Sequence, residues 1–160
     1  DNPPAYTEQV DMTALCHKVG SQLELLCEQK NMRLNKDVQE QLSLEGDELG
    51  ISRLLIILLD NAIKYSPEKT TITLRAASVK EHLVIEVRDE GIGVSDEDKQ
   101  RIFDRFFRVD KARSRSQGGL GLGLSLAWAI VRQHGGSIKV LDNKPKGTII
   151  YVQLPKHRNR

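Results

Sequence analysis

Apolar residues early in the chain recur with helical spacing. Met12, Leu15, Cys16, Val19, Leu23, Leu26 and Cys27 fall at i, i+3, i+4, i+7, i+11, i+14 and i+15, which predicts an amphipathic helix with Asp11 as its N-cap. His17 lies among the polar positions and reads as a surface side chain. Residues 33–38 read as a short strand, and Glu45-Gly46-Asp47 as a turn whose aspartate caps the next helix. That helix carries LLIILLDNAIKYSP over residues 54–67. Its apolar run is too short to span a bilayer. Leu54, Leu55, Leu58 and Ala62 share one face, and Ile57, Asn61, Lys64 and Tyr65 share another. A helix apolar nearly all round is normally buried on both sides, so these polar groups are expected to face a covered site. Pro67 ends the helix.

The pattern then changes to alternation. Residues 71–75 alternate, and Leu83, Ile85 and Val87 share one face of a second strand, with a turn near 79–81 making a hairpin. Asp89 has the same parity and so ends an inward-facing apolar row. A carboxylate there is costly unless hydrogen bonds reach it. Gly91 and Gly93 follow at once, which lets the backbone turn sharply and a ligand come close. A strand-end turn aspartate is a common feature. The inward parity favours a carboxylate that accepts the exocyclic amino group of adenine.

Ser95 and Asp98 resemble a capping box opening a short helix to about Ile102. Phe103, Phe106 and Phe107 are all the phenylalanines of the chain. Such a cluster is usually core, but the interleaved Asp104, Arg105 and Arg108 suggest a surface that closes on something. Residues 109–119 form a loop rich in Lys, Arg, Ser and Gly, expected to be ordered by a ligand. Lys111, Arg113 and Arg115 either meet phosphates there or are merely solvated. GGLGLGL at 118–124 leads into a helix over 125–134 whose core stripe is Leu126, Ala127, Ile130 and Val131, ended by Gly135-Gly136. Glycines before a helix N-terminus expose N–H groups to an anion, although a flexible hinge has the same composition. The spacing fits neither a Walker A loop nor the dinucleotide fingerprint. Strands at 137–141 and 148–154 close the chain, joined by a turn through Asn143, Pro145 and Gly147. Thr148 shares the inward parity of Ile150, Val152 and Leu154.

An amide, a cation and a phenol on one stripe suit a nucleotide. The Asn61 amide oxygen can ligate a hard metal such as Mg2+, Lys64 can neutralise a phosphate, and Tyr65 can lie against a base. A core helix that frays into a polar last turn fits the same residues. Composition narrows the field a little. A chain of 160 residues is one domain of ordinary size. A net charge of +2 does not argue for nucleic acid. Cys16 and Cys27, on one helix and ~16 Å apart, cannot pair and fit a reducing compartment. No signal peptide or transmembrane segment is visible. The opening Asp1-Asn2-Pro3-Pro4, without an initiator Met, reads like a cut inside a longer protein.

Four blocks, LLDNAIKYSPE, DEGIGV, FDRFFRVDKARSR and GGLGLGLSLAWAIVRQHGG, resemble in order and spacing the catalytic ATP-binding domain of bacterial sensor histidine kinases. That domain belongs to a class shared with Hsp90, type II topoisomerases and MutL-like ATPases. The resemblance covers residues from about Val10 to Pro155. It implies an α/β (α+β) two-layer sandwich: a mixed, mostly antiparallel sheet of about five strands, about three helices on one face, and an ATP lid at 109–119. It also implies roles. Asn61 would hold Mg2+, Lys64 would touch phosphate, and Tyr65 would pack on adenine. Asp89 would accept from the adenine amino group, with Gly91 and Gly93 shaping that wall and Thr148 supporting it. Gly119, Gly121 and Gly123, with the intervening Leu120 and Leu122, would cradle phosphates at the helix N-terminus. Arg108 matches the position that reaches the γ-phosphate. Ile57 departs from the pattern, since many members carry a second asparagine there.

A second departure is an absence. None of His17, His82, His134 and His157 has the context of a phosphoacceptor histidine. The resemblance therefore implies the ATP-binding half of a kinase. Its γ-phosphate would go to a histidine on a separate dimerisation domain and thence to a response regulator. The whole would be a cytoplasmic part of a membrane-anchored bacterial sensor. An alternative within the class is a self-contained serine kinase that silences a sigma factor, and a third is a binding module without catalysis.

Overall fold

The computed structural model describes residues 7–105, 107 and 123–157. In chain order the elements are β1 (Glu8–Asp11), α1 (Met12–Gln29), β2 (Arg33–Val38), β3 (Ser43–Gly46), α2 (Glu48–Lys64), β4 (Thr71–Val79), β5 (His82–Arg88), α3 (Asp96–Lys99), α4 (Gly123–Gln133), β6 (Ser137–Asp142) and β7 (Thr148–Pro155). Five strands form one sheet in the order β2-β4-β5-β7-β6. Only β2 and β4 run parallel. Helices α1, α2 and α4 lie together on one face, with α2 over β4 and β5 and flanked by the other two. This is the expected two-layer mixed sandwich.

The alternation read from the sequence sets the inner face. Ile72, Leu74 and Ala76 of β4, Leu83, Ile85 and Val87 of β5, and Ile150, Val152 and Leu154 of β7 are all buried. They meet Leu54, Leu55, Leu58 and Leu59 of α2, none of which has any exposed surface. Leu26 and Leu126 depart from their predicted core stripes. They are 41% and 47% exposed.

The opposite sheet face carries a polar row across all five strands. Asp37, Arg75, Glu86, Tyr151 and Lys139 stand in register on β2, β4, β5, β7 and β6. Arg75 pairs with Asp37 at 3.7 Å and with Glu86 at 3.2 Å, and Arg88 reaches Glu86 at 2.8 Å. The Lys139 ammonium lies 5.1 Å from the Tyr151 ring centre. Cross-strand pairs of this kind keep a sheet face opposite α1, α2 and α4 compatible with water.

Two local expectations change. Glu45 and Gly46, expected in a turn with Asp47, instead end β3, which pairs antiparallel with β1 in a separate two-stranded sheet. Neither strand is long enough to carry a readable alternation. Asp47 stands at the α2 N-cap position, but its side chain makes no capping hydrogen bond. Its backbone N–H instead donates to His134 Nε2 at 3.1 Å. By contrast, Asp11 caps α1 through Ala14 N at 3.0 Å, and Ser95 caps α3 through Asp98 N at 3.2 Å. Both cysteines are buried and free. No described helix is long and apolar enough to cross a membrane.

Candidate functional site

The last turn of α2 ends where helical carbonyls lose their intrahelical partners. Three of them are taken up. Tyr65 N–H donates to Asn61 O at 3.3 Å, the buried Ser66 hydroxyl to Ala62 O at 2.7 Å, and the Lys30 ammonium to Ile63 O at 2.6 Å. A cation at a helix C-terminus also meets the favourable end of the dipole. This turn carries Asn61, Lys64 and Tyr65, which are half-buried rather than enclosed. Lys64 is 3.2 Å from Asp60, a partly exposed i,i+4 pair of little strength. The Asn61 side chain makes no hydrogen bond to another described residue.

Asp89 follows the last residue of β5 and is 5% exposed. Its Oδ1 accepts from Gly91 N at 2.9 Å and from Thr148 N at 3.1 Å. Among the described residues Oδ2 has no partner. Its backbone is held as well: Asp89 N–H donates to Thr148 O at 2.9 Å, and Asn143 Nδ2 donates to Asp89 O at 2.8 Å. Burial pushes the Asp89 carboxyl pKa up, partly offset by the two backbone N–H donors that favour the anion. The result is a buried carboxylate, rigidly aimed, with one acceptor oxygen left over.

Glycines bring the walls together. A Cβ on Gly91 would lie 2.3 Å from the Tyr65 carbonyl oxygen, so the loop after Asp89 packs directly on the end of α2. Gly93 has φ +78°, a conformation that glycine adopts readily. At the other end of the α2 polar stripe stands Gly123, the first residue of α4. A Cβ there would lie 3.5 Å from Ile57 Cγ2. The α4 N-terminus is thus set one helical turn before Asn61, and Ile57 serves as the packing surface between them. Thr148 is 7% exposed beside Asp89, as its parity predicts. Phe103 and Phe107 pack against the core, and Arg101 lies over the Phe107 ring at 5.3 Å.

Asn61, Lys64, Tyr65, Asp89, Gly91, Gly93, Gly123 and Thr148 are therefore carried by adjoining segments of the fold. Arg108, Lys111, Gly119, Leu120, Gly121, Leu122 and the 109–119 segment lie outside the described residues. Two contributors look like mere turn residues in the sequence. Asn143 and Gly147 belong to the β6–β7 turn, yet both touch the Asp89 carbonyl. His134, at the end of α4, is 2% exposed. Its Nδ1 lies 2.8 Å from Ile130 O while Nε2 receives the Asp47 amide proton. Nδ1 therefore carries the proton, and the neutral ring ties the end of α4 to the start of α2.

The donor chemistry fits a nucleotide-bound Mg2+. Among the described residues no three His, Cys, Asp or Glu side chains are grouped to hold a metal. Mg2+ accompanying a triphosphate needs few protein ligands, because phosphates and water supply the rest. The Asn61 carboxamide offers one such oxygen ligand.

Residues 46–158 match the family model for histidine kinase-, DNA gyrase B- and HSP90-like ATPases, and the chain belongs to that family. Among its relatives is sensor protein CiaH of Streptococcus pneumoniae, 42% identical over 142 residues, covering 89% of this chain and 32% of CiaH. Another is the signal transduction histidine-protein kinase ArlS of Staphylococcus aureus, 44% identical over 127 residues, covering 75% of this chain and 28% of ArlS. The mycobacterial sensor histidine kinase MprB has the same fold, with a TM-score of 0.80 at 29% identity, covering 96% of this chain and all of the solved one. The chain spans about a third of the length of the curated relatives it matches.

Proposed function

We propose that this domain binds Mg-ATP and presents its γ-phosphate to a histidine on a separate helical domain of a two-component sensor kinase. Asp89 Oδ2 accepts the adenine 6-amino group, and Tyr65 covers the base. Asn61 would hold Mg2+, which would neutralise charge on the phosphates. Lys64 and the α4 N-terminus at Gly123 receive phosphate oxygens, joined by Arg108, Lys111 and the residues 119–122. Phosphoryl transfer is mostly positioning and charge neutralisation, so the domain needs no nucleophile of its own. The phosphohistidine then serves a response regulator. Attachment to a membrane belongs to the rest of such a sensor.

One observation carries this reading. A buried, pre-aimed carboxylate with one unused oxygen stands across a glycine contact from the helix turn bearing Asn61. Titration calorimetry with a non-hydrolysable ATP analogue tests it. Asn61→Ala should weaken Mg-nucleotide binding at least about tenfold while leaving metal-free binding nearly intact. Near-normal affinity with Mg2+ would remove the metal assignment. Phosphoryl transfer is tested by supplying a relative's histidine hairpin in trans. Acid-labile phosphate on that hairpin supports the proposal, whereas acid-stable phosphoserine on another protein would favour the serine kinase alternative.

A further inference from the structure

We propose that Asn143 is a specificity-determining positioning residue, whose side-chain amide holds Asp89 in the orientation that selects a 6-amino purine. The inference rests on the reading of Asp89 as the acceptor for the adenine amino group. The argument is a competition for one proton. Thr148 N–H is shared between two acceptors of the same residue, Asp89 O at 3.3 Å and Asp89 Oδ1 at 3.1 Å. Neither leg is short, and whatever the carbonyl gains the carboxylate loses. Asn143 Nδ2 relieves the competition by donating to the Asp89 carbonyl at 2.8 Å, the shortest hydrogen bond that oxygen receives among the described residues. With the carbonyl satisfied, the Thr148 proton is available to Oδ1. Gly91 N–H at 2.9 Å completes the pair of donors on Oδ1, and Oδ2 keeps no partner among the described residues.

The turn that carries Asn143 is built for this contact. Asn143 N–H donates to Gly147 O at 3.0 Å, closing the β6–β7 turn. Gly147 has φ +115°, and a Cβ there would lie 2.0 Å from Asp89 O and 2.8 Å from the Glu90 Cα. Turn and strand end therefore meet backbone to backbone, and a short side chain such as Asn143 can span the remaining gap. Lys99 pairs with Asp142 at 2.8 Å and with Asp96 at 2.6 Å, tying the end of β6, just before that turn, to α3.

Removing the donor should send the Thr148 proton towards the carbonyl and free the carboxylate to rotate. The loss should fall on recognition of the amino group alone. Calorimetry of the chain with a non-hydrolysable ATP analogue, and with its purine-riboside counterpart lacking only the 6-amino group, reads this directly. Asn143→Ala should lower the affinity ratio of the two nucleotides about tenfold, the effect of one hydrogen bond, while binding of the counterpart stays unchanged. Asn143→Asp, which keeps the shape of the turn and removes the donor, should do the same. Asn143→Ser retains a short donor and should restore part of the ratio. An equal loss for both nucleotides, or an unchanged ratio in Asn143→Asp, would overturn the inference. If the unaltered chain does not discriminate between the two nucleotides, the reading of Asp89 fails first and this inference falls with it.

Discussion

Gly91 rests on the backbone carbonyl of Tyr65, so closely that a Cβ would stand 2.3 Å from the oxygen. The acid that follows β5 and the amide at the end of α2 thus share one seam. Neither side of that seam is a flexible side chain, so it cannot yield cheaply. Gly91→Ala should force the loop off α2, cost about 1–3 kcal/mol of stability, and weaken Mg-ATP binding. Urea unfolding and calorimetry on the same preparation check both effects. Unchanged midpoint and affinity would show that the seam is dispensable.

Asp89 predicts opposite pH trends for folding and binding. Burial raises its pKa above the ordinary 3.8, so the folded state holds the proton more tightly than the unfolded chain. Its stabilising contribution is fully present below that ordinary value and is lost as pH rises through the raised one. The anion is the stronger acceptor for the amino group, so ATP affinity should fall as pH drops through the same raised value. Asp89→Asn keeps an oxygen for Gly91 and Thr148 but places an amide where Oδ2 stands. It should melt no lower than the parent at neutral pH, bind ATP far more weakly, and lose this part of the pH dependence of unfolding. Thermal melts and titrations from pH 4 to 8 would reveal a parent-like profile if the assignment were wrong.

His134 joins two helices at the ends remote from Asn61 and Gly123. His134→Ala removes the acceptor for the Asp47 amide at the start of α2. Stranding such a group costs about 1–3 kcal/mol, to which the lost ring volume adds. The urea midpoint should fall with little change in slope. A variant as stable as the parent would mean that water replaces the imidazole without penalty.

Ile57 packs its Cγ2 towards Gly123, one helical turn before Asn61. Ile57→Asn should cost about 1–2 kcal/mol of buried apolar contact. It should also place a second oxygen ligand one turn before Asn61 and strengthen Mg-dependent nucleotide binding. Stability and Mg-ATP affinity measured together test the trade. A loss of both would show that packing against α4 matters more at this position than an added ligand.

Much of the layout was written in periodicity. Spacing of 3.6 marked α1, α2 and α4, and spacing of two placed Leu83, Ile85, Val87 and then Asp89 on one inward row. These patterns are legible because burial acts on each element separately and one face must be apolar. Gly91 and Gly93 could be recognised as places where something approaches closely, though not what approaches.

The partners of those groups were decided elsewhere. Sequence alone determined that a carboxylate would end a buried strand and that an amide would lie on a helix otherwise fit for the core. Only the tertiary structure decided that Tyr65 O meets Gly91, that Gly91, Asn143 and Thr148 together supply the hydrogen bonds of Asp89, and that the Asp47 amide goes to His134. The last pair is 87 residues apart. Contacts at that separation leave no periodic trace in the sequence, because they depend on how whole elements pack and not on the pattern within any one of them.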